Sequence, residues 1–117
     1  MGFIAHFSAD LDPGKMKDFQ QWLAANEQAI ADSHPAGAKY LGTYVAIYAD
    51  RDAGDVHTFV ELDNYGTQDA LAAAGNDPNS EYGRLINEYV SFIDQQSNNG
   101  TNALYNRVTD ATLYGDG

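Results

Sequence analysis

The segment KYLGTYVAIYAD, residues 39–50, carries tyrosines at positions 40, 44 and 48. A step of four returns to one face in a strand and nearly so in a helix, so the residues between must decide. Gly42, Thr43, Val45 and Ile47 are poor helix formers, and Leu41, Thr43, Val45 and Ile47 alternate against the tyrosines, which makes the segment a strand. Such a strand is apolar on one face and aromatic on the other. Leu41, Val45 and Ile47 suit a face covered by helices. Tyr40, Tyr44 and Tyr48 then lie on a face too aromatic to leave in water in a small monomer.

The neighbouring segments complete the pattern. DVHTFVELD, residues 55–63, reads as a strand, and the Asp/Gly loop DRDAGD before it makes the pair a hairpin. GFIAHFSA, residues 2–9, is a first strand and NALYNRVTDATLYG, residues 102–115, a last one. Between the first two strands, Asp12 suits an N-cap and Pro13 the first helical position, and Met16, Phe19, Leu23 and Ile30 form a stripe that predicts a helix closing near Pro35 and Gly37. YGTQDALAAAG predicts a short helix, broken by NDPN. In SEYGRLINEYVSFID, Tyr82, Leu85, Ile86, Tyr89 and Ile93 share a face of a second helical segment. The order β-α-β-β-α-β predicts an α+β fold of ferredoxin-like type, a four-stranded antiparallel sheet with its helices on one face.

A length of 117 residues predicts one domain spanning 1–117. The absence of cysteine removes disulfides, thiolate nucleophiles and thiolate metal sites. A formal net charge of −11 with six scattered basic residues argues against nucleic acid and anionic membrane as partners. No apolar run approaches the ~20 residues that cross a bilayer, and no signal peptide opens the chain, so the sequence predicts a cytoplasmic protein.

The short FIAHF strand, the hairpin GTYVAIYAD…VHTFVELDNYGTQDALAAA running into a helix, and DPNSEYGRLINEYVSFID before a closing strand together resemble the dimeric α/β-barrel superfamily, near its antibiotic-biosynthesis monooxygenase, EthD and NIPSNAP-type branches. The resemblance implies a homodimer packed sheet against sheet, with a pocket in each half-barrel. It also implies cofactor-independent oxygenation, cyclisation or isomerisation of aromatic or polyketide-like molecules, haem breakdown, or binding alone. Haem-degrading members carry an axial histidine on the second helical segment, and residues 65–96 contain none.

Strand alternation supplies candidate residues for the barrel-side face: Ile4, His6 and Ser8; Tyr40, Tyr44 and Tyr48; His57, Phe59 and Glu61; Tyr105, Arg107 and Thr109. With the first and third strands adjacent at the centre, His6 comes within a diagonal cross-strand distance, about 7 Å, of Glu61 or His57. His6 is the expected general base, Glu61 the carboxylate that holds it, and Arg107 the cation for an enolate or carboxylate. Tyr40, Tyr44, Tyr48, His57, Phe59 and Tyr105 are the expected substrate-binding residues. The plainer alternative is a polar cluster that only pairs internally. His6, His57 and Glu61 have the composition of an iron site, but neither a metal nor a cofactor is part of the reading adopted. His34, before Pro35 at a helix end, is accounted for by the helix dipole. The function expected is a small-molecule enzyme using cofactor-independent oxygenation or acid/base cyclisation; the alternative is a non-catalytic binding or interaction domain of the same fold.

Overall fold

A computed structural model describes residues 2–110. Its elements run β1 (Phe3–Ala9), α1 (Met16–Asp32), β2 (Ala38–Val45), β3 (Val56–Leu62), α2 (Thr67–Gly75), α3 (Glu81–Val90) and β4 (Thr101–Asn106), followed by a 3-10 turn at Val108–Asp110. The strands form one antiparallel sheet in the order β2-β3-β1-β4, with β1 and β3 central as the sequence predicts.

Helix α1 starts later than its sequence suggests. Gly14, at φ +79°, shapes a turn after Asp12 whose carbonyl accepts from the Lys15 amide, so the helix opens at Met16 and Asp12 is not its cap. α3 does have the expected kind of cap: the Ser80 hydroxyl accepts from the Gly83 amide at 2.9 Å.

β2 contains the fold's most consequential irregularity. Tyr40 pairs with Val60 and Gly42 with Phe59, so Leu41 is an extra residue on its strand, a bulge beside a glycine at φ +141°. One inserted residue exchanges the faces of everything beyond it. Tyr40 therefore shares the helix-covered face with Val60, whereas Tyr44, opposite His57, lies on the other face. Strict alternation from 40 to 48 does not hold. β2 ends at Val45, and Ile47 and Tyr48 lie in the following loop, 94% and 86% exposed.

β4 is also shorter than the sequence reading. The Arg107 amide bonds to the Gly2 carbonyl at 2.6 Å, and the Asp110 amide then closes on the Arg107 carbonyl, turning the chain out of the sheet. Arg107 and Thr109 are thus not strand residues, and residues 111–115 lie outside the described residues.

Between sheet and helices the core divides into two clusters. Ala9, Leu11, Phe19, Val56, Tyr89 and Ile93 gather at one end with Phe7, Trp22, Leu23 and Phe92 against them. Ala5, Val60 and Leu62 gather at the other with Phe3, Leu71 and Leu104. Leu62 and Leu85 are wholly buried. Among the described residues no helix is long and apolar enough to cross a membrane.

Candidate functional site

The sheet's outer face holds most of the residues singled out in the sequence. His6 stands opposite Phe59 and stacks on it with centroids 4.6 Å apart and planes 7° apart; Tyr105 lies 6.2 Å from His6 and Tyr44 5.9 Å from Phe59. His6 Nε2 and His57 Nδ1 are 2.8 Å apart, and His57 Nε2 is 3.2 Å from the Gly54 carbonyl. A carbonyl only accepts, so His57 Nε2 carries the proton, its Nδ1 accepts from His6 Nε2–H, and the His6 Nδ1 lone pair stays free. Burial, and then the neighbouring His57, hold the His6 pKa below its ordinary value.

The partner of His6 is thus His57, not Glu61. Glu61 sits on the same face but opposite Ile4 and Lys39, and no hydrogen bond or ion pair among the described residues joins it to His6. Arg107 follows β4 opposite Gly2, four strand positions from His6, about 13 Å along the sheet. Its guanidinium is 68% exposed and faces Asp110 at 3.6 Å. The expected trio does not converge, and among the described residues no three histidines and carboxylates group as a metal centre would require.

The most apolar recess lies on the other side of the sheet. A cavity of about 420 Å³ opens between the two core clusters, in the range of small-molecule sites. Its roof is helical: Gln68, Leu71, Ala72 and Gly75 form one face of α2, and Tyr82, Ile86 and Tyr89 one face of α3. Ile30 and His34 close one side, and Ala5, Phe7, Tyr40, Thr58, Val60 and Asn102 contribute from the strands.

A directed hydrogen-bond chain runs beneath this cavity. The Tyr40 hydroxyl donates to Glu27 Oε2 at 2.8 Å, so its oxygen accepts from Thr43 at 2.7 Å. Thr43 then accepts from Thr58 at 2.7 Å, and Thr58 from Tyr89 at 2.8 Å. One carboxylate at the end of the row fixes the direction of every proton in it. Burial, with Glu27 adding its charge, pushes the Tyr40 phenol well above its ordinary pKa; burial also raises Tyr89 and pushes Tyr82 up to about 12. All three remain protonated near neutrality.

His34 occupies one end of the cavity. α1 stops at Asp32, and the ring folds back so that Nδ1 lies 2.7 Å from the Ile30 carbonyl, to which it donates. Burial lowers its pKa despite that bond. The imidazole is neutral, its lone pair is at Nε2, and Nε2 is shut off from water without a partner. The ring packs edge-on against Tyr82 with centroids 4.6 Å apart. Helix-end electrostatics explain the Nδ1 bond but not the bare Nε2. Sequence reading passed over His34, Gln68 and Thr58 and took Tyr82 and Tyr89 for core; the i, i+3, i+4, i+7 row Gln68-Leu71-Ala72-Gly75 was the available signal.

No protein-family model matches the chain, and no curated protein matches it. Solved structures match in fold. An uncharacterized NIPSNAP domain protein from Burkholderia xenovorans superposes with a TM-score of 0.65 at 12% identity, over 93% of this chain and 97% of that one. A NIPSNAP family protein from Agrobacterium tumefaciens gives 0.67 at 12% identity, over 95% and 90%. The haem degrader MhuD from Mycobacterium tuberculosis, with two haems bound in its active site, gives 0.52 at 13% identity, over 93% and 98%. The chain therefore has a ferredoxin-like α+β fold, shared with NIPSNAP-type proteins and with MhuD, in line with the resemblance drawn from its strands and hairpin.

Proposed function

We propose that the cavity between the helices and the sheet binds an aromatic or polyketide-like small molecule, and that the protein acts on it by proton-transfer chemistry with His34 as general base. The observation that carries this is the His34 imidazole, neutral, pinned through Nδ1 and lining a 420 Å³ cavity with its Nε2 buried and unpaired. Haem does not fit the same lining: no Lys or Arg among the lining residues is present to take its carboxylates.

The outer face has a separate role in this reading, as the surface on which a second copy packs to form a homodimer. Among the described residues Glu61 is the one acidic residue in a strand, where it stands opposite Lys39, so the face is nearly uncharged in a chain of net charge −11. Tyr44, Phe59 and Tyr105 give that surface an aromatic centre of the kind protein interfaces favour.

Mass spectrometry of a molecule retained on purification, repeated on Ala72→Trp to plug the cavity mouth, tests the site. Loss of the molecule in the variant is the expected result, and unchanged retention refutes it. With the compound in hand, His34→Gln should lower turnover by about 10² to 10⁴ while leaving binding measurable. A compound that binds and never turns over instead identifies a non-catalytic binding domain.

A further inference from the structure

The two imidazoles at the centre of the outer face are not equivalent. His57 is tied on both sides: its Nε2–H donates to the Gly54 carbonyl at 3.2 Å, and its Nδ1 accepts from His6 Nε2–H at 2.8 Å. The loop that carries Gly54 is itself fixed to this face, since the Ser8 hydroxyl donates to the Ala53 carbonyl at 2.8 Å and Ser8 is buried. His57 therefore has no vacant nitrogen. His6, stacked on Phe59, keeps one, so the pair takes up a single proton at His6 Nδ1 without breaking either hydrogen bond. Around the pair stand Tyr44 from β2, Phe59 from β3 and Tyr105 from β4, while Glu61, two positions beyond Phe59, stands opposite Lys39. From the loop, Asp50, Arg51, Asp52 and Asp55 edge a recess beside His57; Asp52 accepts from Asn99 at 2.9 Å and Asp55 from the Leu11 amide at 3.0 Å. Among the described residues no carboxylate forms an ion pair with either ring.

We infer that His6 is a proton switch on the homodimer: one proton at its Nδ1 in each copy drives the two sheets apart, so the assembly holds at neutral pH and loosens in mild acid. The inference rests on the reading of the outer face as the surface on which a second copy packs, and adds what controls that packing. Association moves the ring from a half-exposed position to one between two sheets, where an imidazolium loses water and gains no counter-ion. Its stacking on Phe59 exists in the single chain too, so cation–π attraction does not change on association. Burial already holds the His6 pKa below its ordinary value in one chain, and deeper burial lowers it further. The opposing effect is that added protons reduce the repulsion between two copies of net charge −11. The described acidic residues other than Glu61 lie on helices and loops, and exposed charges more than about 8 Å apart are largely screened at physiological salt, whereas a charge enclosed in the interface is not. The local effect wins. The dimer then binds fewer protons than two single chains, and association weakens as pH falls through the single-chain His6 pKa, below 6.5.

Sedimentation equilibrium at ~0.15 M salt from pH 7.5 to pH 5.5, with circular dichroism at each pH to show that the fold persists, reads the coupling. Two protons per dimer limit the change to about 100-fold per pH unit, and with the single-chain pKa below 6.5 the dimer dissociation constant should rise on the order of 10-fold over this range. The double variant His6→Phe, His57→Gln keeps an aromatic ring on Phe59 and leaves no imidazole on the face; its dissociation constant should be flat. Should that variant fail to fold or to dimerise, NMR titration of the wild-type imidazoles decides: the His6 pKa should be lower in the dimer than in dilute single chains, and equal values overturn the switch. A wild-type dimer with a flat dissociation constant, or a double variant that keeps the wild-type slope, overturns the switch and leaves the dimer standing. A chain that stays monomeric at every pH overturns the dimer reading and this inference with it.

Discussion

Thr58→Val cuts the row beneath the cavity at its midpoint. Valine keeps the shape of the side chain, so no void is made, but Tyr89 loses the oxygen it donates to and Thr43 loses its donor. Tyr89 is 5% exposed, and water has little access to repair the loss, so its orphaned hydroxyl should cost about 1–3 kcal/mol. Thr43 is half-buried and adds less. Tyr89→Phe leaves only a spare lone pair on Thr58 and should cost about 0.5–1.5 kcal/mol. Once both hydroxyls are gone nothing is orphaned at that link, so the double variant should be less destabilised than the sum of the singles by about 1 kcal/mol. Urea denaturation at fixed protein concentration reads this directly. The single tryptophan, Trp22, packs against Tyr89 with centroids 6.3 Å apart and reports on the same region. Additivity to within ~0.3–0.5 kcal/mol would mean that the Thr58–Tyr89 link is not made, and the assigned direction of the row would fall with it.

Tyr44→Asp puts a charge at the centre of the nearly uncharged outer face and should shift the protein to monomer in sedimentation equilibrium, where Asn98→Asp in an exposed loop leaves the dimer intact; equal behaviour of the two would remove that face as the interface. Acid should loosen the fold in a defined window. His6 and His34 both have folded pKa values below 6.5, so the unfolded chain binds protons first; stability is complete above pH 6.5 and is lost as pH falls through the two folded values. The melting temperature should therefore drop between pH 7 and pH 5, less so in His34→Gln, and an unchanged slope in that variant would show that His34 stays solvated.

Element types and order were legible because each long segment keeps a single period. Phe3–Ala9 and Val56–Leu62 alternate throughout, and the Phe19 and Leu23 stripe of α1 holds its helical spacing. The tyrosine faces were not legible, because a bulge costs one residue and leaves almost no mark on composition; Gly42 is its only trace, and a glycine within a strand equally marks a tight bend or the close approach of another backbone. Arg107 misled for a related reason. LYNRVTD continues a strand-like pattern, and only the last rung to Gly2 and the turn closed by Asp110 show where pairing stops. The candidate cavity was hidden because its groups come from every helix and strand, and because His34 owes its position to where α1 ends rather than to any spacing within it.

What holds the cavity open can be traced to α2. In TQDALAAAG the one large apolar side chain is Leu71, and it alone joins the sheet-side cluster; the alanines and Gly75 fill little of the space beneath the helix. A helix so weakly tied to the sheet needs another anchor, and the α2–α3 corner provides it. The Ser80 hydroxyl lies 3.0 Å from the Ala74 carbonyl and accepts from the Gly83 amide, and Gly83 approaches Asp77 so closely that a Cβ would overlap its carbonyl oxygen. α2 is thus held by α3 and stands off the strands. The same small residues that make it a poor lid for a packed core leave open space above Thr58 and Val60, with Gln68 on its wall and the Gln68 side-chain oxygen buried and unpaired. A longer apolar stripe on α2 would have filled the cavity, so the composition of this one helix trades core packing for open space.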